Sequence, residues 1–405
     1  MASNQVVLTY SATSNSPAEV IQAHHDQDGP VPGDEKPLPE ATALVTFLVA
    51  PINPQDVMAI AGRYPVKPEY RHLDNPIPGN DGVARVEATN PPPPTTTTNH
   101  NPLPQPGDLV IPQRHGLGTW RRHAILPLSA LTRLPLPNMN PLTTPTPTAT
   151  STPSAMIPHI TIDPIAASML RTVFLPAYLL TEDMRALRPG DWVVQNAAGS
   201  TVAQVVAQFV RRKGARVVAV VRERERERDG GCGGGGMADV DVVLTEREVR
   251  EGGVGASGEL KAAAERGRVV LGLDAVFGAA GEALAGLLSR GATYVNYGSL
   301  GGVDGVVRVS QKMVFWNEVR FRNFRLSEQL GKRSVMEQED LLGWLADLIA
   351  RGELRAPVVE RIPVPMDGSF VEAFQEKVKG VLAAAAEKKI GHRKHVLDFA
   401  GAGEV

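Results

Sequence analysis

The 405-residue chain has a single cysteine, Cys232, so it can form no internal disulfide and no four-thiolate zinc site. Such sparse use of cysteine fits a reducing compartment. Neither sign of charge is in excess, because 42 Lys and Arg face 44 Asp and Glu, which leaves a formal net charge of -2. This balance argues against nucleic acid as a main partner, since binding a phosphate backbone relies on clustered positive charge.

Long hydrophobic runs are also missing. Ala41–Ile52 is too short to cross a bilayer, and Val269–Ser289 is interrupted by Asp274 and Glu282. The sequence therefore predicts no transmembrane segment. The first fifteen residues show neither an apolar signal core nor an Arg-rich amphipathic presequence, so no targeting signal is visible there.

Proline is locally abundant. Of the 33 prolines, seven lie in residues 91–106 and seven in residues 135–158, where they alternate with threonine and other polar residues. Tracts of this composition do not form a packed core. We predict that residues 91–106 and 135–158 are disordered insertions.

The chain before the second tract consists of short β-branched runs separated by Pro, Gly and Asn, which is typical of a β-rich, partly barrel-like domain. The predicted strands are Gln5–Tyr10, Ala43–Val49, Gly82–Ala88, Asp108–Pro112 and Thr119–Leu126.

After the second tract, strands alternate with helices, a rhythm that predicts an α/β fold with a doubly wound parallel sheet. The predicted strands are Trp192–Asn196, Arg216–Val221, Asp241–Leu244, Val269–Phe277, Ala292–Tyr297 and Glu318–Leu326. The predicted helices are Ile165–Leu187, Thr201–Lys213, Gln338–Arg351 and Phe370–Lys388. A last strand, His395–Phe399, is expected to return to the first domain.

In such a sheet the first strand-to-helix turn meets the pyrophosphate of a dinucleotide. Here that turn is Ala197–Val202, with small residues, a helix cap at Ser200 and only one glycine, Gly199. The GxGxxG pattern is absent, and an ordinary structural turn is an equal alternative.

The end of the second strand favours a particular cofactor. Arg222 and Arg224 stand where the adenosine ribose is bound, and guanidinium groups suit a 2′-phosphate, which predicts NADPH. The alternatives are a solvated charge run over residues 222–229, or Glu223 holding the ribose of NAD.

Several further motifs occur outside the sheet. They are Ile52-Asn53-Pro54-Gln55-Asp56, Gly62-Arg63-Tyr64-Pro65, Pro78-Gly79-Asn80-Asp81-Gly82, Gly116-Leu117-Gly118-Thr119-Trp120-Arg121, Val194-Gln195-Asn196-Ala197-Ala198 and Tyr297-Gly298-Ser299-Leu300. In this order and spacing they resemble the mitochondrial trans-2-enoyl thioester reductases. That family is part of the zinc-free, quinone oxidoreductase-like branch of the medium-chain dehydrogenase/reductase superfamily.

The resemblance implies a GroES-like catalytic domain over residues 1–172, an NADPH-binding Rossmann domain over 173–351 and a return to the catalytic domain over 352–405. It implies that Tyr64 supplies a proton and that no metal takes part. The implied NADPH contacts are Gly199, Ser200, Thr201, Val202, Arg222, Glu223, Arg224, Tyr297, Gly298, Ser299, Leu300, Phe324, Arg325, Leu326 and Lys394. It also implies a homodimer formed through Glu318–Leu326 and a mitochondrial location, with a cytosolic relative as the alternative.

Three positions depart from the family pattern. Val173 stands where an asparagine is expected, Ala203 replaces the second glycine of the turn, and Arg325 interrupts an aromatic-rich segment. These changes either tune cofactor affinity or mark a divergent paralogue.

The implied reaction is the reduction of an enoyl thioester in fatty acid synthesis, with hydride added at Cβ and a proton at Cα. A phenol can protonate the enolate without being ionised at rest, which fits Tyr64. The alternative for Tyr64 is an aromatic loop residue packed beneath prolines. The acyl carrier would be coenzyme A or acyl carrier protein. Both are acidic, and basic side chains that could attract them are Arg121, Arg122, Arg320, Arg322 and Arg325, although a solvated face is the simpler interpretation.

Two rival functions remain open. A quinone or small-enone reductase of the same superfamily would share the sheet, the turn and the preference for NADPH. A non-catalytic NADPH-binding scaffold would bind the cofactor and consume none. A zinc alcohol dehydrogenase does not fit, because its Gly-His-Glu metal segment reads Gly79–Gly82 here, and His72, His115 and His123 are interpreted as surface or packing histidines.

Overall fold

A computed structural model describes residues 5–33, 36–92, 103–134, 162–222, 237–252, 257–302, 304–366, 368–386 and 393–400. Most of both proline tracts, residues 93–102 and 135–161, lies outside the described residues, so the prediction that they are disordered insertions stays a prediction.

The strands are numbered here in the order in which they occur along the chain. The strands of the N-terminal half are β1 (Gln5–Tyr10), β2 (Ile21–Asp26), β3 (Thr42–Pro51), β4 (Arg71–His72), β5 (Asn75–Pro76), β6 (Val83–Asn90), β7 (Leu109–Pro112), β8 (His123–Pro127) and β9 (Leu131–Arg133). In the second half, β10 (Trp192–Gln195), β11 (Arg216–Val221), β12 (Val242–Thr245), β13 (Val269–Asp274), β14 (Thr293–Asn296) and β15 (Arg320–Asn323) precede β16 (Val359–Pro363) and β17 (Lys394–Asp398).

The seven-stranded sheet has the order β16-β17-β3-β6-β7-β9, and β8 pairs with β3. Strand β17 lies antiparallel to β3, with Leu397 opposite Ala50, so the chain returns to its first sheet. The pairs β1-β2 and β4-β5 form two separate antiparallel ribbons. Ala43, Val45 and Phe47 alternate along β3 and share one core with Val86 of β6 and with Trp120.

The second sheet is parallel throughout and has the order β12-β11-β10-β13-β14-β15. This is the 3-2-1-4-5-6 order of a doubly wound dinucleotide fold, as predicted. Its strand order reverses between β10 and β13, which opens a crevice beyond their carboxyl ends. The last strand is shorter than the predicted Glu318–Leu326, because Glu318 has a positive φ of 50° and Leu326 already begins a helix.

Eleven α-helices lie within the described residues. They are α1 (Pro17–Val20), α2 (Pro54–Ile60), α3 (Pro164–Ser168), α4 (Leu175–Glu182), α5 (Thr201–Arg212), α6 (Glu246–Arg250), α7 (Gly258–Glu265), α8 (Gly278–Gly286), α9 (Leu326–Leu330), α10 (Val335–Ala350) and α11 (Val371–Ala386). Leu128–Ala130 forms a 3₁₀ turn, and Leu170–Phe174 and Lys312–Trp316 form wider π-helical turns.

The predicted single helix Ile165–Leu187 is wrong, because it is divided into α3, the π-helical turn and α4. Pro176 provides the reason. It has no N–H to donate to the carbonyl of Thr172, so the regular helical ladder cannot run through this point. The resulting turn, Leu170–Phe174, packs against α3, α4, α5 and α10, and its Arg171 interacts with the Asp81 carboxylate of the first domain.

A single hydrophobic core crosses from one sheet to the other. Val49, Val83 and Val396 of the first sheet share it with Val193 and Val217 of the second. The predicted boundary at residues 172/173 therefore falls inside a buried turn, and the two domains meet through packed side chains rather than through an exposed linker.

Candidate active site and cofactor cleft

The crevice between β10 and β13 is braced by a buried polar network. Asn196 and Asp274, both fully buried, end the two strands, and the Asn196 amide donates to the Asp274 carboxylate at 2.6 Å. The backbone N–H groups of Val276 and Phe277 donate to the same carboxylate oxygen at 2.8 Å each. The Tyr294 hydroxyl donates to the other oxygen. This network fixes the loop after β13 beside the turn after β10.

The turn after β10 has the geometry of an anion-binding helix start. Ala197 has a positive φ of 47°, which turns the chain sharply, and the Ser200 hydroxyl caps α5 by accepting from Ala203 N–H at 3.3 Å. A Cβ added at Gly199 would meet nothing within 4 Å, so the backbone borders open space there. Free N–H groups at a helix start favour a phosphate at this place. Thr201 and Val202 form the first turn of α5.

The segment Tyr297–Leu300 lies against the end of β13. Tyr297 N–H donates to the Asp274 carbonyl at 2.9 Å, and Leu300 N–H donates to the Ala275 carbonyl at 3.0 Å. A Cβ at Gly298 would lie 2.8 Å from the Ala275 carbonyl, so this close approach requires glycine. Ser299 and Leu300 are exposed.

The Tyr297 hydroxyl is buried and has no hydrogen-bond partner among the described residues. Burial raises the pKa of this phenol well above its ordinary value, an effect that the nearby Ser200 hydroxyl reduces. A buried polar atom without a partner is costly, so this hydroxyl suits a polar group of a bound ligand. The turn and the Tyr297 segment thus fit a dinucleotide.

The remaining predicted cofactor contacts are more widely placed. Arg222 follows β11 at its carboxyl end, whereas Glu223 and Arg224 lie outside the described residues. After β15, Phe324 is buried and its N–H donates to the Asn296 carbonyl at 2.8 Å. Arg325 is exposed and forms an ion pair with Glu328 at 3.5 Å, and Leu326 begins α9.

Two other positions also depart from the family pattern. Val173 is buried in the core, and the Ala203 N–H donates to the Ser200 hydroxyl that caps α5.

Lys394 lies in the other domain, at the start of β17. Its ammonium group donates to the Asn53 side chain. Burial lowers the pKa of Lys394, while the carboxylates of Asp81 and Asp56 raise it. The structure therefore places this residue in a buried ionic cluster.

The Asn53–Asp56 motif builds that cluster through the start of a helix. Asn53 occupies the N-cap of α2, Pro54 takes the first helical position, and the Asp56 carboxylate returns to accept the Asn53 N–H at 2.8 Å. The Asn80 side chain donates to the other Asp56 oxygen at 2.7 Å. The Asn53 amide donates to Asp81 at 2.6 Å, so each carboxylate is held by an amide of the other motif.

Glycine is required next to this cluster. Gly79 has a positive φ of 103°, and a Cβ there would lie 2.4 Å from both the Thr119 hydroxyl and the Trp120 ring. Thr119 in turn donates to the Asp81 carbonyl at 2.7 Å. The Pro78–Gly82 motif is thus locked to the Gly116–Arg121 motif.

Burial dominates the electrostatics of the cluster. It raises the pKa of Asp56 to about 7, against the opposing effects of the Asn53 N–H, Lys394 and Asn80. Burial also raises the pKa of Asp81, which His115, Lys394 and Arg171 lower. Arg171 lies on the π-helical turn, so it connects the cluster to the boundary between the domains.

Tyr64 lies beside this cluster, on the loop after α2, and is half-buried. Its hydroxyl is 2.6 Å from Nδ1 of His115. Burial raises the pKa of Tyr64, and the carboxylates of Asp81 and Asp56 raise it further. The phenol is therefore protonated over the ordinary pH range and available as a proton donor.

The interpretation of His115 as a surface or packing residue misses this contact. No motif spacing marks it, because its partner lies 51 residues earlier in the chain. The other two histidines differ. His72 packs against His24 with ring centroids 5.3 Å apart, and His123 Nδ1 lies 3.0 Å from the Thr46 hydroxyl. Burial lowers the pKa of His123 to about 4.

The basic residues considered for a carrier are not one solvated face. Arg121 stacks over the Tyr70 ring at 4.5 Å, and burial lowers the pKa of this guanidinium to about 10. Arg320, Arg322 and Arg325 are exposed, and Arg322 also donates to the Met184 carbonyl at 3.1 Å.

The described residues also bear on metal binding and on membrane insertion. Within them, no three His, Cys, Asp or Glu side chains approach closely enough to hold a metal ion. In the same part of the chain, no helix is long and apolar enough to cross a membrane.

Comparison with known proteins relates the sequence to reductases of one kind. The chain is 30% identical over 358 residues to the mitochondrial enoyl-acyl-carrier-protein reductase of Homo sapiens, covering 88% of this chain and 82% of the human protein. The Rattus norvegicus protein of the same name is 30% identical over 363 residues, covering 90% and 83%. No protein-family model matches the chain.

Two solved structures share the fold. The mitochondrial 2-enoyl thioester reductase Etr1p/Etr2p heterodimer from Candida tropicalis has a TM-score of 0.74 at 20% identity, covering 98% of this chain and 100% of that chain. The complex of Etr1p with NADP and crotonyl-CoA has a TM-score of 0.74 at 19% identity, again covering 98% and 100%.

A doubly wound parallel sheet joined to a β-rich domain is the fold that this chain shares with the Candida tropicalis reductase, since the match extends over nearly all of both chains. Within it, the sequence comparison is more specific. The chain belongs to the family of mitochondrial enoyl-acyl-carrier-protein reductases. The fold class and the family resemblance expected from the sequence are both confirmed.

Proposed function

We propose that this chain reduces the carbon–carbon double bond of trans-2-enoyl thioesters with NADPH, in mitochondrial fatty acid synthesis. Its family supports this assignment, since its relatives are named for the same reaction and compartment. The observation that carries the chemistry is Tyr64, a half-buried phenol that burial and two carboxylates keep protonated and whose hydroxyl lies 2.6 Å from Nδ1 of His115.

NADPH would lie across the crevice between β10 and β13. The turn Ala197–Val202 would hold the pyrophosphate, since its backbone borders open space at Gly199 and leads into the capped helix α5. The Tyr297 hydroxyl would gain a partner beside the nicotinamide half. Arg222 follows β11 at its carboxyl end and would face the 2′-phosphate. Bound there, NADPH supplies the hydride that is added at Cβ of the enoyl group.

The chain itself completes the reaction. Hydride addition leaves negative charge on the thioester oxygen and a basic Cα. The Tyr64 O–H then breaks, its proton forms the new Cα–H bond, and the phenolate that remains is later reprotonated from solvent. A phenol with a raised pKa is fully protonated at neutral pH, so the donor is present in every molecule before turnover.

The acyl group would arrive on coenzyme A or on acyl carrier protein. The complex of the related Etr1p contains crotonyl-CoA, which supports a coenzyme A thioester as a substrate. Both carriers are acidic, and exposed Arg325, beyond the end of the edge strand β15 of the Rossmann sheet, offers positive charge.

The same edge supports a homodimer. Strand β15 pairs only with β14 among the described strands, and exposed Val314, Phe315 and Trp316 precede it. An open strand edge beside exposed apolar side chains favours pairing with a second copy. The related Etr1p forms a heterodimer with Etr2p.

The test is NADPH oxidation with 2-enoyl thioesters of several chain lengths, on both carriers, beside quinones and small enones. We expect turnover with the thioesters and a loss of about 100-fold or more in Tyr64→Phe. Tyr70→Phe is the matched control, because Tyr70 is a half-buried tyrosine of the same domain that uses its ring to stack with Arg121. Turnover of quinones alone would support the rival reductase, and NADPH binding without any turnover would support a scaffold.

A further inference from the structure

His115 directly precedes the Gly116–Arg121 motif and holds the proposed proton donor. Its Nδ1 lies 2.6 Å from the Tyr64 hydroxyl, with the two rings 5.8 Å apart and inclined by 37°. At this distance the contact is a strong hydrogen bond between side chains that lie on different loops.

The backbone on both sides of His115 is fixed. Gly116 N–H donates to the Asn80 side chain at 2.9 Å, and the Gly116 carbonyl accepts from Glu69 N–H at 2.9 Å. On the other side, Arg114 forms an ion pair with Glu69. The imidazole is therefore presented to Tyr64 by a loop that is tied to the buried carboxylate cluster.

Proton counting determines the direction of this bond during the reaction. A phenol has one hydrogen, and a Tyr64 that protonates Cα must point that hydrogen at the substrate. Its oxygen is then left to accept, so Nδ1 of His115 must carry a hydrogen and donate it. Once the Tyr64 proton has moved to Cα, the same bond ends on a phenolate and becomes charge-assisted, which strengthens it about twofold.

We propose that His115 is a positioning residue that donates through Nδ1–H to the Tyr64 oxygen, orients the phenol toward the substrate and stabilises the phenolate formed at proton transfer. The inference rests on the proposed function, since it presupposes that Tyr64 is the proton donor.

The surrounding charges are consistent with this role. Asp81 and Asp56 disfavour a phenolate at Tyr64, so the resting phenol stays protonated. His115 is the neighbour that can offset this effect at the moment of transfer, because it is bonded to the oxygen on which the charge appears. Lys394 and Arg171 contact neither the phenol nor the imidazole in the described hydrogen bonds and ion pairs, and they lower the pKa of Asp81.

The experiment compares two amide variants of this position. In His115→Asn the side-chain amide falls where Nδ1 stands, whereas in His115→Gln it falls where Nε2 stands. We expect His115→Asn to keep kcat within about threefold and His115→Gln to lose about 10- to 100-fold in kcat, the range of one hydrogen bond to a charged group. The KM for the thioester should change little in both, because the bond is made to Tyr64 and not to the substrate.

A double-mutant cycle separates this role from a general structural one. His115→Leu should slow the native enzyme about as much as His115→Gln, but should cause no further loss in the Tyr64→Phe background. Melting temperatures of all variants show whether folding is intact. If His115→Leu unfolds the protein, the contrast between Asn and Gln still decides.

Three results would overturn the inference: equal kcat for the Asn and Gln variants, a change confined to KM, or the same loss from His115→Leu with and without the Tyr64 hydroxyl. Full activity of Tyr64→Phe is a different outcome, because it would refute the proton donor of the proposed function itself. Slow Tyr64→Phe together with full activity of His115→Gln would leave the proposed function standing and reject the role of His115.

Discussion

The carboxyl of Asp56 gives the sharpest prediction about stability. Its pKa in the folded protein is raised to about 7 from a reference value of 3.8, chiefly by burial. Folding is therefore disfavoured wherever the unfolded chain has ionised this group and the folded chain has not. This penalty is absent below about pH 4, grows as the pH rises toward 7, and is constant above it.

The size of the effect follows from the shift in pKa. A rise of roughly three units corresponds to about 4 kcal/mol across the full range, of which about 3 kcal/mol falls between pH 5 and pH 8. Asp56→Asn removes the ionisation. An amide cannot accept both from Asn53 N–H and from the Asn80 side chain, so the variant loses about 1 to 3 kcal/mol at every pH.

The assay is urea unfolding of both proteins from pH 5 to pH 8. We expect the variant to be the less stable protein at pH 5 and to gain on the native protein by about 3 kcal/mol as the pH reaches 8. Lys394→Met is a control that changes the pKa of Asp56 in the opposite sense. The ammonium of Lys394 lowers this pKa, so its removal should make the protein lose more stability as the pH rises. Parallel stability curves for native protein and Asp56→Asn would refute the reasoning.

Two matched pairs at the cofactor cleft extend the test. Tyr294→Phe should cost about 1 to 3 kcal/mol of unfolding free energy, since it leaves the Oδ2 oxygen of buried Asp274 without its donor. Tyr297→Phe removes an unpartnered hydroxyl and should leave the melting temperature unchanged while raising the dissociation constant for NADPH. The reverse order would contradict the assignment. Gly281→Ala should cost about 2 kcal/mol or more in a thermal melt, because its Cβ would lie 2.1 Å from the Asp274 carboxylate. Gly286→Ala in the same helix meets nothing within 4 Å and should be neutral or stabilising by up to about 1 kcal/mol; an equal gain in both variants would show that helix propensity, not contact, decides.

Local signals in the sequence were sufficient for the six strands of the parallel sheet, to within a few residues, and for the turn after β10, but they did not reveal β2 or β9 in the first half. Alternating apolar runs mark the strands, and Ser200 before an amphipathic stretch marks the start of α5, since both depend on residues close together in the chain. The break before α4 could also have been foreseen, because Pro176 carries its own signal.

Contacts between distant segments could not be predicted in this way. The hydrogen bonds from Asn196 and Tyr294 to Asp274 join residues 78 and 20 positions apart, and each residue alone is an ordinary polar residue at a strand. Likewise, the role inferred for His115 depends on the contact between its own loop and the loop that carries Tyr64. The tertiary fold brings such pairs together, and the periodicity of the sequence predicts only local elements.

The order in which the polypeptide is synthesised gives the return of β17 a consequence for biogenesis. Lys394 follows its partner Asn53 by 341 residues, so the ribosome makes the whole nucleotide-binding sheet before the ammonium that faces Asp56 and Asp81 exists. Until then the nascent N-terminal half holds two carboxylates with no lysine beside them and a sheet that lacks its β17 neighbour. We expect this half to mature late, after the Rossmann half has folded, and to be the part that depends on chaperones in translation experiments with stalled chains.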